Sequence, residues 1–268
     1  MSIHTDTFFD LDAAHMSVSR VTLKVRNLDE MVTFYQRLLS LTVHHETAGS
    51  VVLGAEAGFL ELIGDPDAAL ANLKAPGLFH VAFLLPRRED LSSWLGHIDQ
   101  QGIALQGASD HAVSEAVYLS DPEGNGIEVY ADRPVETWRE TKDGLYIPSH
   151  RLDFSTLPTP EKWTGIPEKT RVGHVHVQTT DIAAAESFWT GLNMDVMARY
   201  PGGSFFGAGG YHHQVAANVW RSLGQPVEPG PKTGLSSIAF RADPALFPEP
   251  ETRVAPSGIE VILHPKRS

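Results

Sequence analysis

A chain of 268 residues with 42% hydrophobic content is long enough to bury a large core without disulfide or metal staples. The absence of cysteine excludes disulfides, thiolate metal sites, iron–sulfur clusters and a thiol nucleophile, so any metal ion must take nitrogen and oxygen ligands. A formal net charge of -12 with no Lys/Arg cluster argues against a nucleic-acid partner, and no apolar run approaches the roughly 20 residues that span a bilayer.

The chain opens with residues 1–17, an acidic extension that lacks the basic start and apolar run of a secretory signal, which leaves a cytoplasmic protein as the expectation. From Val18 the pattern becomes a strand, an amphipathic helix and short strands separated by glycine-containing turns. The first helix is predicted over Asp29 to Leu39, with Met31, Phe34, Tyr35 and Leu38 on one face. Strands are expected around Val43, Val51 to Leu53 and Phe59 to Ile63.

The same pattern returns along the chain. Val21 to Leu28, then Phe34-Tyr35, aligns without gaps on Val175 to Ile182, then Phe188-Trp189, and each copy has a capping Asn or Asp before its helix. Leu78 to Phe83 resembles Leu235 to Phe240, and Gly126-Ile127-Glu128-Val129 matches Gly258-Ile259-Glu260-Val261. The expected class is α+β, with four βαβββ modules. Modules one and two occupy residues 18–134, a Pro-rich polar linker covers 135–170, and the last two modules fill 171–268. Pro244, Pro248 and Pro250 disfavour a long helix in the fourth module, which reads as a shortened copy.

Strand residues alternate between faces, so His80 shares a face with Ala82, and His174 with His176. His80 and His176 are placed in the first strands of modules two and three, and Glu128 lies in the last strand of module two, after the turn Asp121 to Gly126. His80, His176 and Glu128 together make a two-histidine, one-carboxylate triad. Such a triad suits Fe(II) or Mn(II) with open positions, while a fourth ligand in a tetrahedral arrangement would favour Zn(II). Taken singly, a strand histidine is more often a core residue; the repeat is what raises the joint reading.

The segments His80 to Phe83, Ser109 to Tyr130 and Gly173 to Val177 resemble the two-domain glyoxalase/bleomycin-resistance/dioxygenase superfamily, and within it the catechol 2,3-dioxygenase-like branch of extradiol enzymes. The resemblance implies two half-barrel pairs of modules, an Fe(II) ion and an aromatic diol substrate cleaved with O2. It also implies roles for particular residues. Tyr118 matches a tyrosine that hydrogen-bonds substrate or oxygen, and His213 falls where relatives place an acid/base residue or a further ligand, with His212 as the neighbouring candidate. Aligning Gly58 to Glu61 on Gly210 to His213 puts His213 in the last strand of module three. Because module one has Thr22 and module four has Ser237 at the histidine positions, modules two and three are expected to face each other, as the inner modules do in some relatives; the other pairing, modules three with four, would offer only His176, His213 and Glu260.

Phe79, Phe83, Phe205, Tyr211 and Trp220 are expected to line an apolar pocket around a ring. His111, after the turn-prone Gly107 to Asp110, is a weaker candidate for the site, with plain loop as its other reading. The leading function is an extradiol dioxygenase, with a small aromatic substrate and O2 as partners and homo-oligomerisation allowed. Two alternatives stand beside it: a glyoxalase-type lyase or isomerase, which would need Glu61 or Glu260 as a base near the metal, and a drug- or aromatic-binding protein without chemistry.

Overall fold

The computed structural model describes residues 7–267. Residues 1–6 of the predicted N-terminal extension lie outside the described part. Module one contains β1 (Met16–Val25), α1 (Leu28–Leu39), β2 (Thr42–Glu46), β3 (Ser50–Gly54) and β4 (Gly58–Gly64). Module two repeats the order with β5 (Gly77–Leu85), α2 (Arg88–Gln100), β6 (Gly107–Asp110), β7 (Ser114–Ser120) and β8 (Gly126–Asp132). The connecting segment carries three two-residue strands, β9 (Glu140–Thr141), β10 (Gly144–Leu145) and β11 (His150–Arg151). Module three has β12 (Arg171–Gln178), α3 (Ile182–Thr190), β13 (Asp195–Tyr200), β14 (Gly203–Gly207) and β15 (Val215–Asn218). Module four is reduced to β16 (Gly234–Ala242), β17 (Glu251–Val254) and β18 (Glu260–Pro265). No helix among the described residues is long and apolar enough to cross a membrane.

Local chemistry explains the helix ends. Asn27 accepts from Glu30 N at 3.2 Å while its own amide donates to the Glu30 carboxylate at 2.9 Å, a reciprocal cap on α1. Asp181 caps α3 by accepting from Ala184 N at 2.7 Å. In module four the chain after β16 makes a single turn on Asp243, which accepts from Ala245, Leu246 and Phe247 N, and the prolines beyond it end the turn before a helix can grow.

The modules pair by position in the chain. Modules one and four form a seven-stranded sheet in the order β17-β18-β16-β1-β4-β3-β2. Modules two and three form an eleven-stranded sheet in the order β11-β6-β7-β8-β5-β12-β15-β14-β13-β10-β9. Each pair meets through antiparallel first strands, β1 with β16 and β5 with β12. Val81, Phe83 and Leu85 on one face of β5 join Val21, Leu23 and Val25 of β1 in a common core with Tyr35 of α1 and Trp94 of α2. The opposite face of β5 is left for the site.

The connecting segment is structural. Hairpin β9–β10 attaches to β13 at one edge of the large sheet, and β11 attaches to β6 at the other. Residues 135–151 thus form a strap from edge to edge. Gly144 makes the attachment possible: its φ is +106°, and a Cβ there would lie 2.2 Å from the Met197 carbonyl oxygen.

Candidate metal centre and its cavity

The register of the large sheet determines which side chains meet. Glu128 on β8 and His174 on β12 both pair with Ala82 of β5, one on each side, and Tyr118 on β7 pairs with Glu128. A row Tyr118–Glu128–Ala82–His174 therefore crosses four strands on one face. Ala82 is small and fully buried, which opens a hollow between its two neighbours. His80, two residues earlier on the same face of β5, leans over that hollow and pairs with His176 across the seam.

Three side chains converge there. His80 Nε2 lies 3.0 Å from Glu128 Oε2, and His174 Nε2 lies 3.5 Å from the same oxygen. One donor atom from each of the three falls within 4.8 Å of the others, and all three residues are buried. Among the described residues His80 Nε2 has no hydrogen-bond partner in proper geometry, and neither has His174 Nδ1. Unpartnered buried nitrogens on a row with a carboxylate are what a divalent cation would satisfy.

The ligand triad expected from the repeat is corrected by this geometry at one position. His176 faces the same cavity, but Asn218 Nδ2 donates to its Nε2 at 2.9 Å, and the amide is oriented by Trp220 N donating to Asn218 Oδ1. The residue across Ala82 from Glu128 is His174. The cause is register: parallel pairing of β5 with β8 sets Glu128 opposite Ala82 rather than His80, so its counterpart on β12 is the residue that pairs with Ala82. The motif Gly173-His174-Val175-His176, with both histidines on one face, carried the signal.

Two bulges in the β5–β12 ladder refine the aim. Gly173 is the extra residue between Val172 and His174, and Phe79 is the extra residue opposite His176 and Val177. The second bulge turns Phe79 toward the site, 4.7 Å from the His176 ring and 5.5 Å from Trp220 by centroids. Phe83, by contrast, lies on the core face against Tyr35 and Phe59, so it does not line the pocket as expected.

Burial alone would raise the Glu128 carboxyl, but the adjacent His174 and His80 rings outweigh it and hold the group well below the usual carboxylate range. Burial pushes His174 down to about 4 against the pull of Glu128. It also drives His176 and His213 well below the usual imidazole range, with the neighbouring histidines adding to the shift. Glu128 is thus charged and His174 neutral near neutral pH, the forms that coordinate metal. A stability prediction follows from the sign of these shifts. Between about pH 6.5 and pH 4 the unfolded chain binds protons on these rings that the folded chain refuses, so stability is full above that window and falls as pH drops through it. For His174 alone the loss by about pH 5 is roughly 2 kcal/mol. Urea unfolding of the metal-free protein at the two ends of the window measures it, and an unchanged midpoint contradicts it.

His213 lines the cavity with its ring 4.1 Å from that of His174. It does not lie in the last strand of module three, as the alignment predicted: β15 begins at Val215, and the strand position equivalent to Glu61 is Ala216, three residues later. His212 and His213 stand in the turn before β15, where strand alternation does not apply, and both rings join one chain. The Asp132 carboxylate accepts from His212 Nε2–H at 2.8 Å, so His212 Nδ1 accepts from His213 Nδ1–H, also at 2.8 Å. His213 Nε2 is left for the cavity. His212 is fully buried behind it and does not reach the cavity. Tyr211, expected in the pocket, instead donates to Asp132 Oδ2 at 3.0 Å and meets the Tyr130 hydroxyl at 2.8 Å.

Tyr118 lines the opposite wall. The Pro148 carbonyl accepts from His111 Nδ1–H at 2.6 Å, so His111 Nε2 accepts from the Tyr118 hydroxyl, also at 2.6 Å. His111 is therefore a fixed partner of the tyrosine rather than free loop, and it ties Tyr118 to the strap. Burial and the Glu128 carboxylate hold the Tyr118 phenol well above the usual tyrosine range. The cavity has a volume of about 650 Å³; Phe79, Phe205 and Trp220 line it, and Ile147, Pro148 and Ser149 of the strap close one side.

Comparison with known proteins agrees with this architecture. The family model of the Glyoxalase/Bleomycin resistance protein/Dioxygenase superfamily matches residues 17–129. The catechol-2,3-dioxygenase of Bacillus subtilis (strain 168) is 37% identical over 244 residues, 87% of this chain and 82% of that protein. Biphenyl-2,3-diol 1,2-dioxygenase 3 of Rhodococcus globerulus is 26% identical over 162 residues, 56% of this chain and 84% of that protein. A Bacillus subtilis protein of known crystal structure superposes with a TM-score of 0.61 at 12% identity, over 93% of this chain and 85% of its own, a likeness of fold.

Proposed function

The chain belongs to the Glyoxalase/Bleomycin resistance protein/Dioxygenase superfamily, and from that premise we propose that it is a metal-dependent extradiol dioxygenase that cleaves an aromatic diol with O2. The observation that carries the reading is the buried convergence of His80, Glu128 and His174 at the floor of a cavity flanked by His213 and Tyr118. Two imidazoles and one carboxylate suit Fe(II), with Mn(II) and Zn(II) as alternatives for the same donors. Fe(II) held by these three residues would supply the electron exchange that allows a diol to react with O2.

The protein's own groups handle binding and protons. His213 Nε2 faces the cavity as a neutral base able to take a diol proton, and the His212–Asp132 chain behind it fixes the tautomer that leaves the Nε2 lone pair free. Tyr118 spends its proton on His111, so it offers the cavity an oxygen lone pair that accepts from a diol hydroxyl. Phe79, Phe205 and Trp220 give the ring apolar walls, and the strap limits the access of water.

The lyase alternative lacks its base. Glu61 accepts from Thr22 at 3.1 Å in the other sheet, and Glu260 is exposed on that sheet's β18. A binding protein without chemistry would not require three buried donors to converge. The test is oxygen uptake by anaerobically purified, Fe(II)-loaded protein on a panel of catechols. One O2 consumed per diol is expected, with kcat lowered about a hundredfold in His213→Ala. Absence of uptake across the panel, or isomerisation of a thiol hemiacetal without O2, would overturn the reading.

A further inference from the structure

Along β12 the side chains of His174, His176 and Gln178 share one face, so the cavity runs from the metal centre past His176 toward its mouth, about 13 Å for the four residues at strand rise. That is longer than a single ring requires. The inner stretch is walled by aromatic groups, but the outer end is polar. Gln178 is 2% exposed, and its Nε2 is committed to the Leu73 and Ala75 carbonyls, yet its Oε1 has no partner among the described residues.

Arg221 lines the same cavity. Apart from Glu128, it is the only Asp, Glu, Lys or Arg side chain among the described residues that line the cavity. Its guanidinium carbon lies 5.8 Å from the Phe79 ring centroid, and the Phe79 ring is in turn 5.3 Å from that of His80, so the cation sits one aromatic ring away from the metal centre. Arg221 has no ion pair among the described residues, so its charge is free to meet a ligand. In a chain of net charge -12, an unpaired cation on the wall of a cavity whose only carboxylate is Glu128 favours an anionic group on the ligand.

Resting on the dioxygenase reading, we propose that the substrate is an aromatic diol bearing a short acidic side chain, whose carboxylate pairs with Arg221 while the diol oxygens face His80, Glu128 and His174. Planar guanidinium and carboxylate groups can meet in two parallel hydrogen bonds, which an ester cannot reproduce.

Anaerobic titration measures binding without turnover. The metal-loaded protein is titrated with 3-(3,4-dihydroxyphenyl)propionate and with its methyl ester, following tryptophan fluorescence, at low and high salt. The acid is expected to bind about tenfold more tightly than the ester, with the advantage shrinking in high salt. Arg221→Gln should bring the acid down to the ester's level, and Arg221→Lys should keep part of the preference. Equal binding of acid and ester, a preference that survives Arg221→Gln, or no binding of either ligand overturns the proposal. Admitting air then separates the two readings: acid preference without oxygen uptake sinks the dioxygenase, and oxygen uptake without acid preference sinks the role of Arg221.

Discussion

His174→Ala is expected to lose the bound metal ion, while His176→Ala keeps it. The expectation rests on one feature of sheet register, the placing of Glu128 and His174 on either side of Ala82. Removing His174 leaves one imidazole and one carboxylate, so affinity should fall at least about a hundredfold, beyond what loss of an outer partner causes. His176 is engaged by Asn218 and packs against Phe79, and its removal costs wall rather than ligand, about tenfold or less. Elemental analysis after dialysis against a fixed free-metal concentration, with circular dichroism as the folding control, decides between them. The reverse pattern would restore the ligand set expected from the repeat alone.

Gly173→Ala should be among the most damaging single-methyl changes in the protein, lowering the unfolding free energy by about 3 kcal/mol. A Cβ at this position would lie 1.9 Å from the Tyr130 hydroxyl oxygen, 2.8 Å from Tyr130 Cζ and 3.0 Å from Leu84 Cβ. Tyr130 cannot swing aside freely. It is fully buried, its hydroxyl meets Tyr211, and its ring lies 4.9 Å from that of His174. Either the tyrosine pair on Asp132 breaks or the bulge straightens and carries His174 away from Glu128. Urea unfolding reads the first cost and metal affinity the second. Gly173→Ala combined with Tyr130→Phe should recover only part of the stability, because the ring Cζ at 2.8 Å and Leu84 Cβ at 3.0 Å remain in the way; an additive double variant would contradict the clash.

Much of this architecture was legible before any coordinates. The gapless match of Val21–Leu28 to Val175–Ile182, the helical stripe of α1 and the prolines of module four are local signals, and local signals survive folding. The facing of modules two and three followed from chemistry, since modules one and four carry Thr22 and Ser237 where the others carry histidine. What failed depended on register and turn geometry, neither of which alternation encodes. A one-residue bulge set the aim of His174, and Phe83 kept the core side. A turn, where a strand was expected, gathered Tyr211, His212 and His213 into one hydrogen-bonded chain. Residues 135–151 looked like a polar linker because edge strands of two residues are too short to show a period.

The most direct test of the metal centre is anomalous diffraction from crystals grown with Fe(II) or Mn(II) under anaerobic conditions. A single strong peak bonded to His80, Glu128 and His174, with His176 still held by Asn218, is the predicted result. A peak ligated by His176 in place of His174, or no ordered ion at the floor of the cavity, would contradict it.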